Sequence, residues 1–240
     1  DESDLILPRV KLLQGLSEEP AQYPLARAGE YWHTLAEQSF GTAFPVVPIL
    51  VRKSYVLWAP RGSDEKILAV ARDGVHWDVT DGEWSVKFPN SRRPVTLRTA
   101  KTVIESGLHL RGTSDPDDPK SPPAATETFE FIFVRPDRME LGPFIVTHQR
   151  TSIKAAKDLL SKAKIRPGER FYHIYELGVA AGKSPKGIYY LPSYRFLGYV
   201  EESVAPETER LYKRLSGVDF TADGVDDEAV TIDVTEPTKF

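Results

Sequence analysis

Residues 169–200 read ERFYHIYELGVAAGKSPKGIYYLPSYRFLGYV, and their pattern decides the fold class. Two runs rich in aromatic and branched residues, Glu169 to Val179 and Ile188 to Val200, flank the glycine-containing stretch Ala180 to Gly187 and predict an antiparallel hairpin. Alternation puts Arg170, Tyr172, Ile174 and Glu176 on one face of the first strand. On the return strand Tyr189, Leu191, Ser193, Arg195 and Leu197 share a face. These more polar faces are expected to look outward, with Lys183 and Lys186 at the tip. The connecting stretch Gly178-Val179-Ala180-Ala181-Gly182-Lys183-Ser184 is one residue short of a phosphate-cradling loop. Pro185 and a strand follow where that loop needs a helix, so nucleotide hydrolysis is not expected.

Outward from this hairpin the chain stays β-rich. Strands are predicted over Phe144 to Gln149 and over Thr126 to Val134, where Phe129, Phe131 and Phe133 alternate onto one face. Val46 to Trp58 and Ile67 to Ala71 read as two further strands, separated by a loop with Pro60, Gly62 and Asp64. Asp81-Gly82 suits a two-residue turn, which pairs Val75–Thr80 with Glu83–Phe88 and puts Trp77 and Trp84 on an apolar face. Residues 113–125 combine four prolines with three aspartates and read as a mobile loop. Thr151 or Ser152 can cap a helix running to about Lys164, and a last helix spans about Pro206 to Leu215 before Gly217.

Composition sets the limits on function. The 240 residues are 40% hydrophobic and 28% charged, a soluble globular balance, and the absence of cysteine excludes thiolate metal sites and cysteine nucleophiles. No apolar run reaches the roughly 20 residues that span a bilayer. The five histidines lack metal-ligand spacing and there is no Gly-x-Ser-x-Gly elbow, so no enzyme, cofactor or metal is expected. The net charge of −4 is unevenly spread. Residues 130–200 hold twelve bases and six acids, whereas 218–240 hold seven acids and one base. One domain over residues 1–217 followed by a flexible acidic tail is the expected organisation.

Cations interleaved with aromatic rings on a sheet are what single-stranded nucleic acid requires, because lysine and arginine track phosphates while rings stack on bases. The candidate contacts are Arg52, Lys53, Arg92, Arg93, Arg150, Lys154, Lys157, Arg170, Lys183, Lys186 and Arg195 for phosphates. Tyr55, Trp58, Tyr172 and Tyr189 are the candidate stacking platforms. Asp226, Asp227, Glu228 and Phe240 in the tail can compete for a basic groove or engage a partner's basic-rimmed pocket.

Four segments carry a family resemblance: Leu7-Pro8-Arg9-Val10-Lys11-Leu12-Leu13-Gln14, Lys53 to Arg61 (KSYVLWAPR), Arg150 to Lys157 (RTSIKAAK) and Tyr194 to Tyr199 (YRFLGY). They resemble segments of bacteriophage replication-module proteins, a group associated with single-stranded DNA-binding proteins of OB-fold type. The resemblance spans most of residues 5–215. It implies a mainly β, OB-like barrel with long insertions and helices. It also implies binding of single-stranded DNA without sequence preference during phage replication or recombination, in the cytoplasm of the infected host. By the same resemblance the tail is expected to recruit replisome proteins such as polymerase, helicase or primase, although Lys239 beside Phe240 departs from that pattern. The rival expectation is a phage structural or virion-assembly protein with a β-rich domain. An enzyme built on an unrecognised carboxylate cluster is a weaker third.

Overall fold

The computed structural model describes residues 5–59, 66–88, 91–185, 187–217 and 220–222. In chain order the elements are β1 (Leu5–Leu7), β2 (Val10–Leu12), α1 (Glu19–Gln22), β3 (Tyr31–His33), β4 (Gln38–Gly41), β5 (Ala43–Trp58) and β6 (Ile67–Ala71). There follow β7 (Glu83–Val86), β8 (Val95–Arg98), α2 (Val103–Ser106), β9 (Ala125–Val134), β10 (Phe144–Gln149) and α3 (Ile153–Lys164). The remainder comprises β11 (His173–Ser184), β12 (Gly187–Tyr199), α4 (Ala205–Leu215) and β13 (Phe220–Ala222). The protein is mainly β, with several antiparallel sheets and few helices. The chain divides into two compact units, residues 1–50, 131–146 and 154–240 in one and residues 51–130 and 147–153 in the other.

In the first unit the strand order is β10-β9-β5-β11-β12. Phe131-Ile132-Phe133-Val134 is apolar without alternation because this part of β9 is buried on both faces. One face carries aromatic packing, in which Phe133 meets Phe144 and Tyr194, and Phe44 meets Tyr31 and Phe40. The other face buries Val47, Ile49, Ile132, Val134 and Ile145 with Leu7, Phe171 and the α4 residues Leu211 and Leu215. A separate antiparallel sheet, β2-β3-β4, packs Leu13, Ala26 and Trp32. β1 pairs in parallel with β13, Leu5 opposite Phe220 and Leu7 opposite Ala222.

The described strands do not close the expected OB-like barrel. Closure is one way to remove exposed edges; here parts of the β12 and β10 edges are covered piecemeal instead. Along the outer edge of β12 the Gln14 side-chain amide donates to Tyr190 O (2.9 Å) and accepts from Tyr190 N (3.0 Å). Pro192 offers no N–H, and Lys162 Nζ donates to Tyr194 O at 2.7 Å. β10 is bridged by Arg9 at Ile145.

The hairpin of β11 and β12 is longer than its sequence suggests. Residues 180–184 continue the ladder rather than forming a loop, and Gly182 faces Tyr189. A Cβ on Gly182 would fall 2.3 Å from the Tyr189 ring, so glycine is what lets that ring lie across the strand.

The second unit is built on the far half of β5, which pairs antiparallel with β6, Tyr55 opposite Ala71. Its core gathers Leu57, Leu68, Ala69, Trp77, Leu97, Leu108 and Ala125. Two expectations fail here. The Asp81-Gly82 hairpin is not formed, and β7 pairs instead with β8, Trp84 opposite Leu97. A type I′ turn needs positive φ at both central residues, and Gly82 is not among the glycines that adopt it. Its missing Cβ serves packing, since one would fall 2.0 Å from the Trp84 ring. The strand partner expected at Val75–Thr80 is occupied by side-chain bonds: Asp78 Oδ1 accepts from Val70 N at 2.8 Å, and Thr99 Oγ1 donates to Val79 O at 2.5 Å.

The proline-rich stretch 113–125 is likewise not a loose loop. Gly112 N donates to Ser121 O (2.9 Å), Ser114 Oγ to Pro122 O (2.7 Å) and Asp115 N to Ser121 Oγ (3.0 Å). Ser114, Asp115 and Ser121 are buried, so hydroxyl bonds replace the ladder that proline denies.

Candidate nucleic-acid interface

In the first unit α3 presents a row of positive charge. Ala156 and Leu159 are buried, which turns Lys154, Lys157, Ser161 and Lys164, spaced at three and four residues, to the exposed side. Lys154 and Lys164 have no ion-pair partner among the described residues. Lys162 leaves the stripe, pairing with Asp158 at 2.6 Å. Arg166, just past the helix, lies 4.1 Å from the Phe196 ring centroid. Sequence reasoning named Lys154 and Lys157 as contacts and omitted Lys164, although the same spacing identifies it.

The other expected contacts of this unit are less available. Arg195 is exposed, and its Nε and Nη2 donate to the two oxygens of Glu176 at 3.1 and 2.9 Å. That bond holds the Glu176 carboxyl below its ordinary range. Arg170 and Tyr172 fall in a half-buried 3-10 turn before β11 rather than on the strand. The Tyr172 hydroxyl donates to Glu209 at 3.1 Å, and its ring packs edge-on against Phe171 at 4.5 Å. Burial and that carboxylate raise its phenol. Tyr189 is half-buried over Gly182, and Lys183 is exposed near the hairpin tip, on the opposite face of the ladder from Tyr189. Lys186 lies outside the described residues, as do Asp226, Asp227, Glu228 and Phe240.

In the second unit acids answer most of the named cations. Arg52 Nε donates to Glu130 Oε2 at 2.9 Å, Lys53 Nζ lies 2.8 Å from Glu127, and Arg93 Nη2 lies 2.9 Å from Asp117. Tyr55, expected as a stacking platform, is only 8% exposed and belongs to the core; Lys53 sits 5.0 Å from its ring centroid. The reason is alternation: Tyr55 shares its face with Leu57. Trp58 is half-buried, its indole N–H shielded and without a hydrogen-bond partner among the described residues. Arg92 and Arg150 are exposed, Arg150 at a φ of 51°, unusual for a non-glycine residue.

Each unit treats its own share of the named residues differently. The first carries one lysine row on α3, and the second a set of cations mostly held by neighbouring carboxylates. Among the described residues no three His, Asp or Glu side chains converge to hold a metal ion, and no helix is long and apolar enough to cross a membrane.

No curated protein and no solved structure matches this chain. A family model described as Pam3 phage gp34-like protein matches residues 1–220, and with that the chain belongs to this bacteriophage protein family.

Proposed function

We propose that the protein binds single-stranded DNA without sequence preference during phage replication or recombination, and that the α3 lysine row is its principal phosphate contact. The observation that carries this reading is the exposed stripe Lys154, Lys157, Lys164 on a helix whose opposite side is fixed in the core. Lysines on a rigid helix neutralise successive phosphates with little ordering cost, and counterion release supplies affinity without any base-specific group. A closed barrel is not required, since a sheet hairpin with a half-exposed ring offers a stacking surface. In this reading the acidic residues of 218–240 compete for the lysines and recruit replication proteins in the host cytoplasm. Fluorescence anisotropy with oligothymidine at two salt concentrations tests it. Submicromolar binding at low salt that weakens on adding salt supports the proposal, and salt-independent or absent binding rejects it.

A second reading, a virion structural or assembly protein, is favoured by a different observation. Leu16, Leu25 and Ile165 are all more than 70% exposed, which suits burial against another protein. Mass spectrometry of purified particles separates the two, because an assembly protein is present in stoichiometric amounts and has no oligonucleotide affinity.

A further inference from the structure

The two edges of the β11–β12 arm are treated differently. β11 is paired with β5 only from Tyr175 to Gly178, opposite Val46 to Ala43, while its ladder with β12 continues to Ser184. Residues 179–184 and 187–192 therefore form a two-stranded arm. On the β12 side the Gln14 amide takes both backbone groups of Tyr190, so Tyr190 and its partner Ala181 are a pair whose N–H and C=O point away from each other's strand. By the same alternation Val179, Ala181 and Lys183 turn their backbone groups to the outer side of β11. Among the described residues those groups have no partner. Val179-Ala180-Ala181-Gly182 also lacks every device that blunts an edge: it has no proline, no charge and no bulge. The β12 edge has Gln14, Pro192 and Lys162.

An open, small-residue edge accepts an extended segment by strand addition. The chain contains one that fits. Ala229-Val230-Thr231-Ile232-Asp233-Val234-Thr235 is dominated by β-branched residues and contains neither glycine nor proline, a strand composition within an otherwise acidic stretch. Setting Asp233 beside Lys183 puts Val230, Ile232 and Val234 on the opposite face. There they meet Ala180, Gly182, Tyr189 and Leu191, where small β11 residues leave room. The tether is of comparable length to the span it must cover. Ala222 is held beside Leu7, and Gln14, which touches the arm at Tyr190, follows Leu7 by seven residues, at most about 25 Å. The ten residues from Ala222 to Ile232 extend to about 33 Å.

We infer that the outer edge of β11 between Val179 and Lys183 is a strand-acceptor site, and that its occupant is residues 229–235 of the same chain. The arm then becomes three-stranded and its last unpaired backbone groups are satisfied. This inference stands independently of the DNA-binding proposal, and its test contains no DNA.

Amide hydrogen exchange is compared between the full chain and a chain ending at Ala222. Strand addition slows exchange at Val179, Ala181 and Lys183 in the full chain by about tenfold or more, while the inner-ladder amides of Ala180 and Gly182 change little. I232P in the full chain should abolish that difference without disturbing the domain. Because the protein lacks cysteine, K183C with D233C provides a second readout. An intramolecular disulfide forming at dilute concentration supports the assignment. Only disulfide-linked dimers would overturn it in favour of exchange between copies. Equal exchange in both chains, with no cross-link, would remove the site altogether.

Discussion

α3 and the β5 segment Arg52-Lys53 carry the same kind of charge to opposite ends. On α3 the lysines at 154, 157 and 164 stand on the solvent side of a helix anchored by Ala156 and Leu159. On β5 each cation meets a glutamate of β9, Arg52 with Glu130 and Lys53 with Glu127. A strand in mid-sheet has cross-strand neighbours on each face, so a charge placed there is answered locally. The outer side of an amphipathic helix faces solvent rather than a neighbouring strand, and Lys154 and Lys164 there have no ion-pair partner among the described residues. Counting cations along a sequence does not distinguish the two cases.

Four measurements break or sharpen that contrast. The largest effect concerns the second unit, whose polar groups are read as structural. Burial pushes the His148 imidazole down to about 3. The folded state keeps it neutral while the unfolded chain, with an ordinary value near 6.5, takes up a proton. This stability is therefore complete above about 6.5 and is lost as pH falls toward 3, at about 1.4 kcal/mol per pH unit. Urea unfolding at pH 7 and 4.5 should differ by about 3 kcal/mol, and H148L should flatten that dependence. An equal slope in both proteins removes His148 as its source.

Next is the helix itself. Replacing Lys154, Lys157 and Lys164 together with alanine should weaken oligothymidine binding at least about tenfold and shallow the log–log salt slope by about 2. Thermal unfolding should be nearly unchanged, since all three are exposed. Undiminished binding would erase the functional half of the contrast.

E130Q tests the other half. It leaves the half-buried Arg52 guanidinium facing a neutral amide and should destabilise the protein by about 1–2 kcal/mol. DNA affinity should not fall, and a loss comparable with the triple-lysine variant would mean that Arg52 is a contact after all. Smallest is R195A. Arg195 is exposed and its pairing with Glu176 lies in high dielectric, so the change in stability should be within about 0.5 kcal/mol.

Elements fixed by local signals were legible. The strands at 67–71 and 144–149 and the helices at 153–164 and 205–215 follow from the apolar patterning within the segments themselves. What could not be read is partner choice. Asp81-Gly82 looked decisive because its turn chemistry is local, but β7 paired with β8, Trp84 opposite Leu97, while Thr99 Oγ1 took the Val79 carbonyl and the Asp78 N–H bonded Val70 O of β6. The proline-rich stretch misled for the same reason, its order arising from Ser114 and Ser121 reaching across the segment. At the candidate interface the sequence displayed each cation but not the acid opposite it. Glu127 and Glu130 became partners only when β9 was laid beside β5.

The parallel pairing of β1 with β13 has a consequence for how the protein is made. Leu5 and Phe220 are brought together across a separation of 215 residues (220 − 5), so this contact closes a very long loop. Such a contact raises contact order and belongs to a late stage of folding. On the ribosome, the strand at Leu5–Leu7 must wait until Phe220–Ala222 has been made before their ladder can form.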